Sequence, residues 1–304
     1  MSPRATPAGA GEESSSRPPG QEQTASRSAA ANRRAPGRRA RAAERVVLAP
    51  GLSAAETHSH TLASDGMVTA AQLVRAAAAI GLSVISITDH DTLSPLAEAI
   101  EVGAALGVDV VQGEEVTCSF PPGIHVVATY IERPIRMHMS IEDTVDAIHD
   151  AGGLAVIAHP FMPTWFASIG GGRLRKLLET RSLDGIEVRH TAPMMPGGWR
   201  ALDAFCAAHR ERVGALMAAG DSHFGVHDLG RLVTVFPGRG AADLRRAIEA
   251  RTTSPLRGVS PPGPPVSMRL GQQRRSMIEL NLKRFRGDVG GGGPAAAAGD
   301  GVRR

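Results

Sequence analysis

Cysteine is scarce: Cys118 and Cys206 are the two in 304 residues. Two thiols give no disulfide framework and no four-cysteine zinc site, and they fit a reducing compartment. Long hydrophobic runs are missing too. No stretch approaches the roughly 18 uninterrupted apolar residues of a membrane span, and the opening MSPRATPAGAGEESSSRPPG lacks the apolar centre of a secretory signal. The expectation is a cytoplasmic protein with no membrane span. Hydrophobic residues make up 42% and charged residues 21%, ordinary globular values that exclude wholesale disorder and a collagen-like scaffold. The length suits one large domain of about 200 to 250 residues with extensions.

Charge is unevenly spread. Residues 1–45 hold nine Arg against four Glu, and 251–304 hold ten basic against three acidic residues. Residues 46–250 carry 15 basic and 23 acidic side chains, so the basic pI belongs to the ends and the core is acidic. Surplus carboxylate with clustered histidine suits cations better than a phosphate backbone. Nucleic acid is thus a possible partner of the basic arms but not the favoured one.

Composition divides the chain into a disordered basic arm at 1–45, a folded core at 46–260, an amphipathic segment at 261–286 and a disordered low-complexity tail at 287–304. Within the core, β-rich runs at 83–88, 108–117, 124–131, 154–159, 185–190, 213–220 and 232–236 alternate with helical patterns. Thr69 and Gln72 have capping-box spacing before a helix that stops at Gly81, Ser94 precedes Pro95 as a second helix start, and Ser140 stands three residues before Asp143 as a third. Further helices fit 172–182, 199–211 and 241–250. Such alternation predicts a parallel sheet with helices outside, open or closed into a barrel.

The ends of the predicted strands carry the chemistry. Thr57-His58-Ser59-His60 aims two imidazoles one way if extended. Asp65 follows. Later runs end in Thr88-Asp89-His90-Asp91, Gly113-Glu114-Glu115, Ala158-His159-Pro160 and Gly220-Asp221-Ser222-His223, while His125 lies in the fourth run and His190 ends the sixth. In a β/α barrel such strand ends ring one cavity, which makes a polynuclear metal site.

THSHTLASDG, ITDHDT, GEEVT, GIHVVATYI, IAHP, LDGIEV and GDSHFG, spread from His58 to Gly230, resemble in order and spacing the PHP (polymerase and histidinol phosphatase) superfamily. The resemblance implies an α/β fold, a distorted (β/α)7 TIM-like barrel of the PHP type between disordered tails. It further implies two to three divalent transition metals, manganese, zinc or iron. One would be held by His58, His60, Glu115 and Asp221, a second by Glu115, His125 and His159, and a third by Asp65, His90 and His223. Glu115 is preferred to Glu114 from the family motif and because strand alternation puts one of the two on the cavity face. Glu115, Asp65 and His90 are the candidate catalytic residues. Asp89 or Asp91 is expected to orient a ligand imidazole.

The implied activity is a metal-dependent phosphoesterase that hydrolyses a small phosphorylated metabolite or nucleotide through a bridging hydroxide. An amide or carbon–oxygen hydrolase on the same site, or a non-catalytic metal-stabilised module, are the alternatives. Two features depart from many phosphoesterase relatives. One helix at most fits between His125 and His159, and Phe161-Met162-Pro163-Thr164-Trp165-Phe166 puts an apolar rim where a phosphate-gripping Arg is usual. Arg189, His190 and Arg200 are left as candidate substrate-binding residues. His138, His149, His209 and His227 match no motif and read as surface or helix-face residues, and Cys118 as a small buried one. The 266–286 segment is expected to pack its apolar face on the barrel, with membrane-surface binding as the other reading.

Overall fold

The computed structural model describes residues 44–119, 123–163, 167–287 and 289. Nearly all of the two predicted disordered tails, and Thr164, Trp165 and Phe166 of the apolar rim, lie outside the described residues. Nine strands form one sheet: β1 (Leu52–Glu56), β2 (Val84–Ile87), β3 (Asp109–Thr117), β4 (His125–Thr129), β5 (Leu154–Ile157), β6 (Gly185–His190), β7 (Ala215–Ala219), β8 (Leu232–Pro237) and β9 (Ser254–Arg257). Their order is β7-β6-β5-β4-β3-β2-β1-β8-β9.

The sheet curls until its flanks meet. Beyond β1 and β7, Ser59 and Ser222 form a parallel bridge. Here the His60 N–H donates to Ser222 O at 2.8 Å and the Ser222 N–H to His58 O at 3.1 Å. Lower down, the Thr234 hydroxyl joins β8 to β7, accepting from Ala218 N at 3.0 Å and donating to Ala218 O at 2.8 Å. The result is a nearly closed α/β barrel.

The expected all-parallel arrangement needs correction at two places. β4 runs antiparallel to both β3 and β5, and β8 runs antiparallel to β1 and β9. For β4 the reason lies in connection length. Only residues 118–124 separate β3 from β4; a parallel crossover needs a dozen or more residues, so a hairpin is forced. Reversal brings His125, the first residue of β4, to the rim where the other strands end, opposite Thr117.

Helices α1 (Ala70–Ile80), α2 (Ala97–Leu106), α3 (Ile141–Asp150), α4 (Gly171–Thr180), α5 (Gly198–Ala208) and α6 (Ala241–Glu249) surround the sheet. Thr69 and Gln72 form the capping box of α1, and Gly81 ends it at φ 87°. Ser140 caps α3 by accepting from the Asp143 N–H at 3.0 Å. The expected cap at Ser94 is absent, and α2 begins three residues later without a side-chain cap. Ser94 gives its hydroxyl to the buried carboxylate of Asp89 instead, a charge-assisted bond stronger than a cap. Period-two alternation fills the barrel: Ala55, Val84, Val111, Val127, Val156 and Met217 pack with Leu244, Ala247 and Ile248 of α6 in one apolar cluster. The alternate residues Ile85 and Ile87 pack outward with α1. Each fully buried Ile or Leu contributes roughly 1.5 to 3 kcal/mol. With its interior plugged, the barrel offers polar side chains room at its rim.

The 266–286 segment is helical throughout: α7 (Val266–Arg274), a π turn (Arg275–Glu279) and α8 (Leu280–Arg286). It packs on the barrel with the opposite face from the one expected. Val266, Leu270, Met277, Ile278, Leu282 and Phe285 are exposed and only Leu280 is buried. Carboxylates and turn carbonyls line the rim beneath it, and these bind Gln, Arg and Lys side chains rather than apolar ones.

Candidate metal centre

Glu115 sits at the centre of the rim. Val111, Gly113 and Glu115 share the inner face of β3, which leaves Glu114 outside, where it accepts the Ile135 N–H. Glu115 Oε2 lies 3.2 Å from His58 Nε2, 3.4 Å from His60 Nε2 and 3.1 Å from His90 Nδ1. Its Oε1 lies 2.9 Å from His125 Nδ1 and 3.0 Å from His159 Nε2. Two more carboxylates flank this centre. Asp221 Oδ1 is 3.1 Å from His60 Nε2, and Asp65 Oδ1 is 3.2 Å from His223 Nε2. All nine side chains singled out as metal ligands therefore share one cavity.

Their grouping differs in detail from the one the resemblance implies. Ligand atoms of His60, Asp65, His90 and His223 lie within 4.8 Å of one another, as do those of His58, His60 and Glu115, and those of His90, Glu115 and His125. His60 and His90 each serve two groups. His58 Nε2 and His60 Nε2 stand 3.1 Å apart, where their lone pairs converge. Asp65 Oδ1, Asp221 Oδ1 and the Nδ1 atoms of His60, His90 and His125 are buried without a hydrogen-bond partner. A buried polar atom left unpaired costs roughly 1 to 3 kcal/mol. Five such atoms aimed into one cavity fit divalent cations, which would satisfy them together.

Electrostatics couples these groups: burial pushes His223 down, but the carboxylates of Asp65 and Asp221 outweigh it and raise it to about 10, so a cation held there would displace a proton. Burial pushes the Glu115 carboxyl up, but the imidazoles of His125, His58 and His90 together outweigh it and hold the group well below the usual carboxylate range. His90 is pushed down to about 4, chiefly by burial, and is neutral as a ligand must be. Glu114, buried away from any cation, is pushed up to about 8 by its burial. The backbone is strained here as well. Asp91, His159 and Asp221 have φ of 51°, 25° and 49°, conformations that persist only where the surroundings hold them.

A surrounding layer of carboxylates orients the cluster, and it is not the one expected. Neither Asp89 nor Asp91 meets an imidazole. Asp89 gathers the turn before Asp65, accepting from Thr61 N, Thr61 Oγ1, Ser64 N, Ser64 Oγ and Ser94 Oγ. Asp91 accepts from Thr117 N at 2.7 Å and pairs with Arg284. Glu187 orients an imidazole instead: it accepts from His58 Nδ1 at 2.8 Å and from the His159 backbone N–H at 2.7 Å. Sequence reasoning missed Glu187, although an acid in the apolar strand GIEVRH was the available signal. It also missed Asp228, which accepts from Ser222 Oγ and His223 N and fixes the turn that carries His223.

The three proposed substrate grips are not presented to the cluster. Arg189 is spent in a two-pronged pair with Asp203 of α5, at 2.8 and 3.0 Å. Arg200 is exposed on α5. His190 is closer, with its ring 6.4 Å from that of His159, but Nε2 donates to Pro160 O at 3.1 Å and the ring packs against Trp199. The physical reason is the bulge in β6 between Glu187 and Arg189, which turns Arg189 toward the helix layer.

Fold and site together define an α/β barrel whose rim gathers groups of imidazole and carboxylate side chains that could hold divalent metal. Residues 56–152 match the model of the PHP domain. Over 124 residues the chain is 30% identical to an uncharacterized protein of Methanocaldococcus jannaschii, a match covering 41% of this chain and 67% of that one. It is 38% identical over 80 residues to the phosphoribosyl 1,2-cyclic phosphate 1,2-diphosphodiesterase of Eggerthella lenta, covering 25% of this chain and 30% of the relative. The crystal structure of a two-domain protein from Bacteroides vulgatus containing a predicted PHP-like metal-dependent phosphoesterase has the same fold, with a TM-score of 0.55 at 20% identity over 71% of this chain and 69% of that one. The chain belongs to the PHP domain family. Among the described residues no helix is long and apolar enough to cross a membrane.

Proposed function

We propose that this protein is a metal-dependent phosphoesterase that hydrolyses a small phosphorylated metabolite or nucleotide with two to three divalent cations, manganese, zinc or iron. One observation carries the reading: Glu115 stands within 3.4 Å of five imidazoles, beside Asp65 and Asp221. Bound there, divalent cations would supply hydroxide at neutral pH and would neutralise phosphoryl charge.

The chain's own residues supply position and dehydration. His58, His60, Glu115 and Asp221 would hold one cation, His125 and His159 with Glu115 a second, and Asp65, His90 and His223 a third. Glu115 is the candidate bridge. Glu187 keeps the His58 proton on Nδ1, which leaves the Nε2 lone pair facing the cavity. Glu56, which accepts the Gly220 N–H at 2.8 Å, Asp89 and Asp228 hold the backbone turns behind the ligands. Among the described residues no Lys or Arg lies within ion-pair distance of Glu115, Asp65 or Asp221, so the phosphoryl charge falls to the bound cations. The diesterase of Eggerthella lenta supports phosphoester chemistry on a small molecule.

The test is phosphate release from a panel of small esters, p-nitrophenyl phosphate included, with added manganese, zinc or iron(II). Activity lost on chelation and restored by metal is expected. Glu115→Gln should lower turnover by about 10³-fold or more, some 4 kcal/mol of transition-state stabilisation, and Asp65→Asn by less. Metal-replete protein inert toward every ester overturns the proposal.

A further inference from the structure

The C-terminal helix is absent from the chemistry drawn so far, yet it reaches a candidate ligand. Gln272 Nε2 donates to Asp65 Oδ2 at 3.0 Å. Asp65 lies on a turn without regular structure between β1 and α1, and that turn is gripped from both sides. From below, Asp89 holds it at Thr61 and Ser64. From above, Arg275 Nη2 donates to Leu62 O at 2.6 Å and to Ser64 O at 3.1 Å, and Lys283 Nζ donates to Ala63 O at 2.6 Å. Further along, Arg284 joins Asp91 and Thr117 at the ends of β2 and β3.

The pairing is selective. Three cationic side chains reach this part of the rim, and each is turned to a carbonyl or to Asp91. The neutral amide alone meets Asp65. The two oxygens of that carboxylate are thereby divided: Oδ1 faces His223, His60 and His90 at 3.2, 3.7 and 3.8 Å, and Oδ2 is taken by Gln272. A neutral donor on the outer oxygen fixes the rotation of the carboxylate without cancelling its charge, which an Arg there would do. The helix is held almost wholly by these polar contacts, with Leu280 its one buried apolar side chain.

We propose that Gln272 is a positioning residue for the cation bound by Asp65, His90 and His223, so that the C-terminal helix forms part of that site. The inference rests on the polynuclear reading above. Loss of the amide frees Asp65 to rotate and weakens this cation while the pair around Glu115 keeps theirs.

The test uses the full chain, stripped with chelator and titrated with Mn2+ by calorimetry and equilibrium dialysis. Asp65→Asn in the otherwise unaltered protein identifies the affinity class that belongs to this cation. Gln272→Ala and the nearly isosteric Gln272→Met should each weaken that class about tenfold or more, a typical effect of losing a ligand's hydrogen-bond partner. The other classes should move less than about twofold, a selectivity that general destabilisation would not produce. Unchanged Mn2+ affinity in both variants, with an unchanged circular dichroism spectrum, overturns the proposal. So does normal binding by Gln272→Met alone, since that assigns the effect to packing. Wild-type protein that lacks the Asp65-dependent class removes the polynuclear reading itself, and that failure shows before any Gln272 variant is made.

Discussion

Replacing Asp89 by Ala removes a fully buried carboxylate that accepts five hydrogen bonds. Two of its three hydroxyl donors can pair with each other, since Thr61 Oγ1 and Ser94 Oγ already stand 3.2 Å apart, and the Ser64 hydroxyl is free to rotate. The backbone N–H of Thr61 cannot re-pair, whereas the Ser64 N–H keeps Thr61 O at 3.2 Å. At roughly 1 to 3 kcal/mol for one stranded buried donor, Asp89→Ala should cost about 2 kcal/mol. Asp89→Asn should cost about 1 kcal/mol, because the amide oxygen keeps both N–H donors and the NH2 can donate to hydroxyls turned to accept. Urea unfolding of the metal-free protein, followed by circular dichroism, measures both. The turn that Asp89 gathers carries Asp65, so the Ala variant should also lose metal in elemental analysis. A cost below about 1 kcal/mol for Asp89→Ala, or equal costs for Asn and Ala, refutes the reasoning.

Three further outcomes are expected. Glu187→Gln sets an NH2 against one of two N–H donors, so cation affinity should fall about 10- to 100-fold in equilibrium dialysis, with the fold retained. Burial pushes the Cys118 thiol up to about 12 and the Cys206 thiol up to about 11, so a thiol-specific reagent at mildly alkaline pH should label neither until the protein is unfolded. His149 is raised by its hydrogen bond to Asp184, 2.8 Å away. A raised histidine stabilises fully below its ordinary 6.5 and loses that contribution as pH climbs through the raised value. His149→Gln should therefore lower the unfolding free energy near pH 6, by no more than about 1 kcal/mol after solvent screening, and leave it unchanged at alkaline pH.

Much of this architecture is legible in the residues because local and global signals agree. Period-two alternation along Val111-Gly113-Glu115 assigns the inner face of a strand without reference to its neighbours, and the caps at Thr69 and Ser140 mark real helix starts. Strand direction was harder to read. Periodicity carries no sign, and the reversal of β4 follows only from the length of the 118–124 connection. The candidate ligands are visible as polar residues that end apolar runs. Their supports are not, because Glu187, Asp89 and Asp228 act through pairings with residues distant in the chain or with backbone groups. The orientation of the C-terminal helix was misread for a similar reason: amphipathic spacing reveals two faces, but the carboxylates and carbonyls of the rim decide which one turns inward. Arg189 stood at a promising position and was diverted by a bulge that leaves no compositional trace.

Closing the barrel through Ser59 and Ser222 has a consequence for the order in which this molecule assembles. The seam joins the end of the first strand to the end of the seventh, so, like the β1–β8 pairing, it is among the most non-local contacts in the fold and carries a large loop-closure cost. Until it zips, β7 waits with an open edge of the kind that pairs promiscuously with other chains. His58 and His60 stand on one lip of that seam and Asp221 and His223 on the other, so cations held between them would bind the closed barrel and not the open one. By mass action such ions would stabilise the closed joint, and metal starvation during synthesis would leave the chain longer in its aggregation-prone open shape.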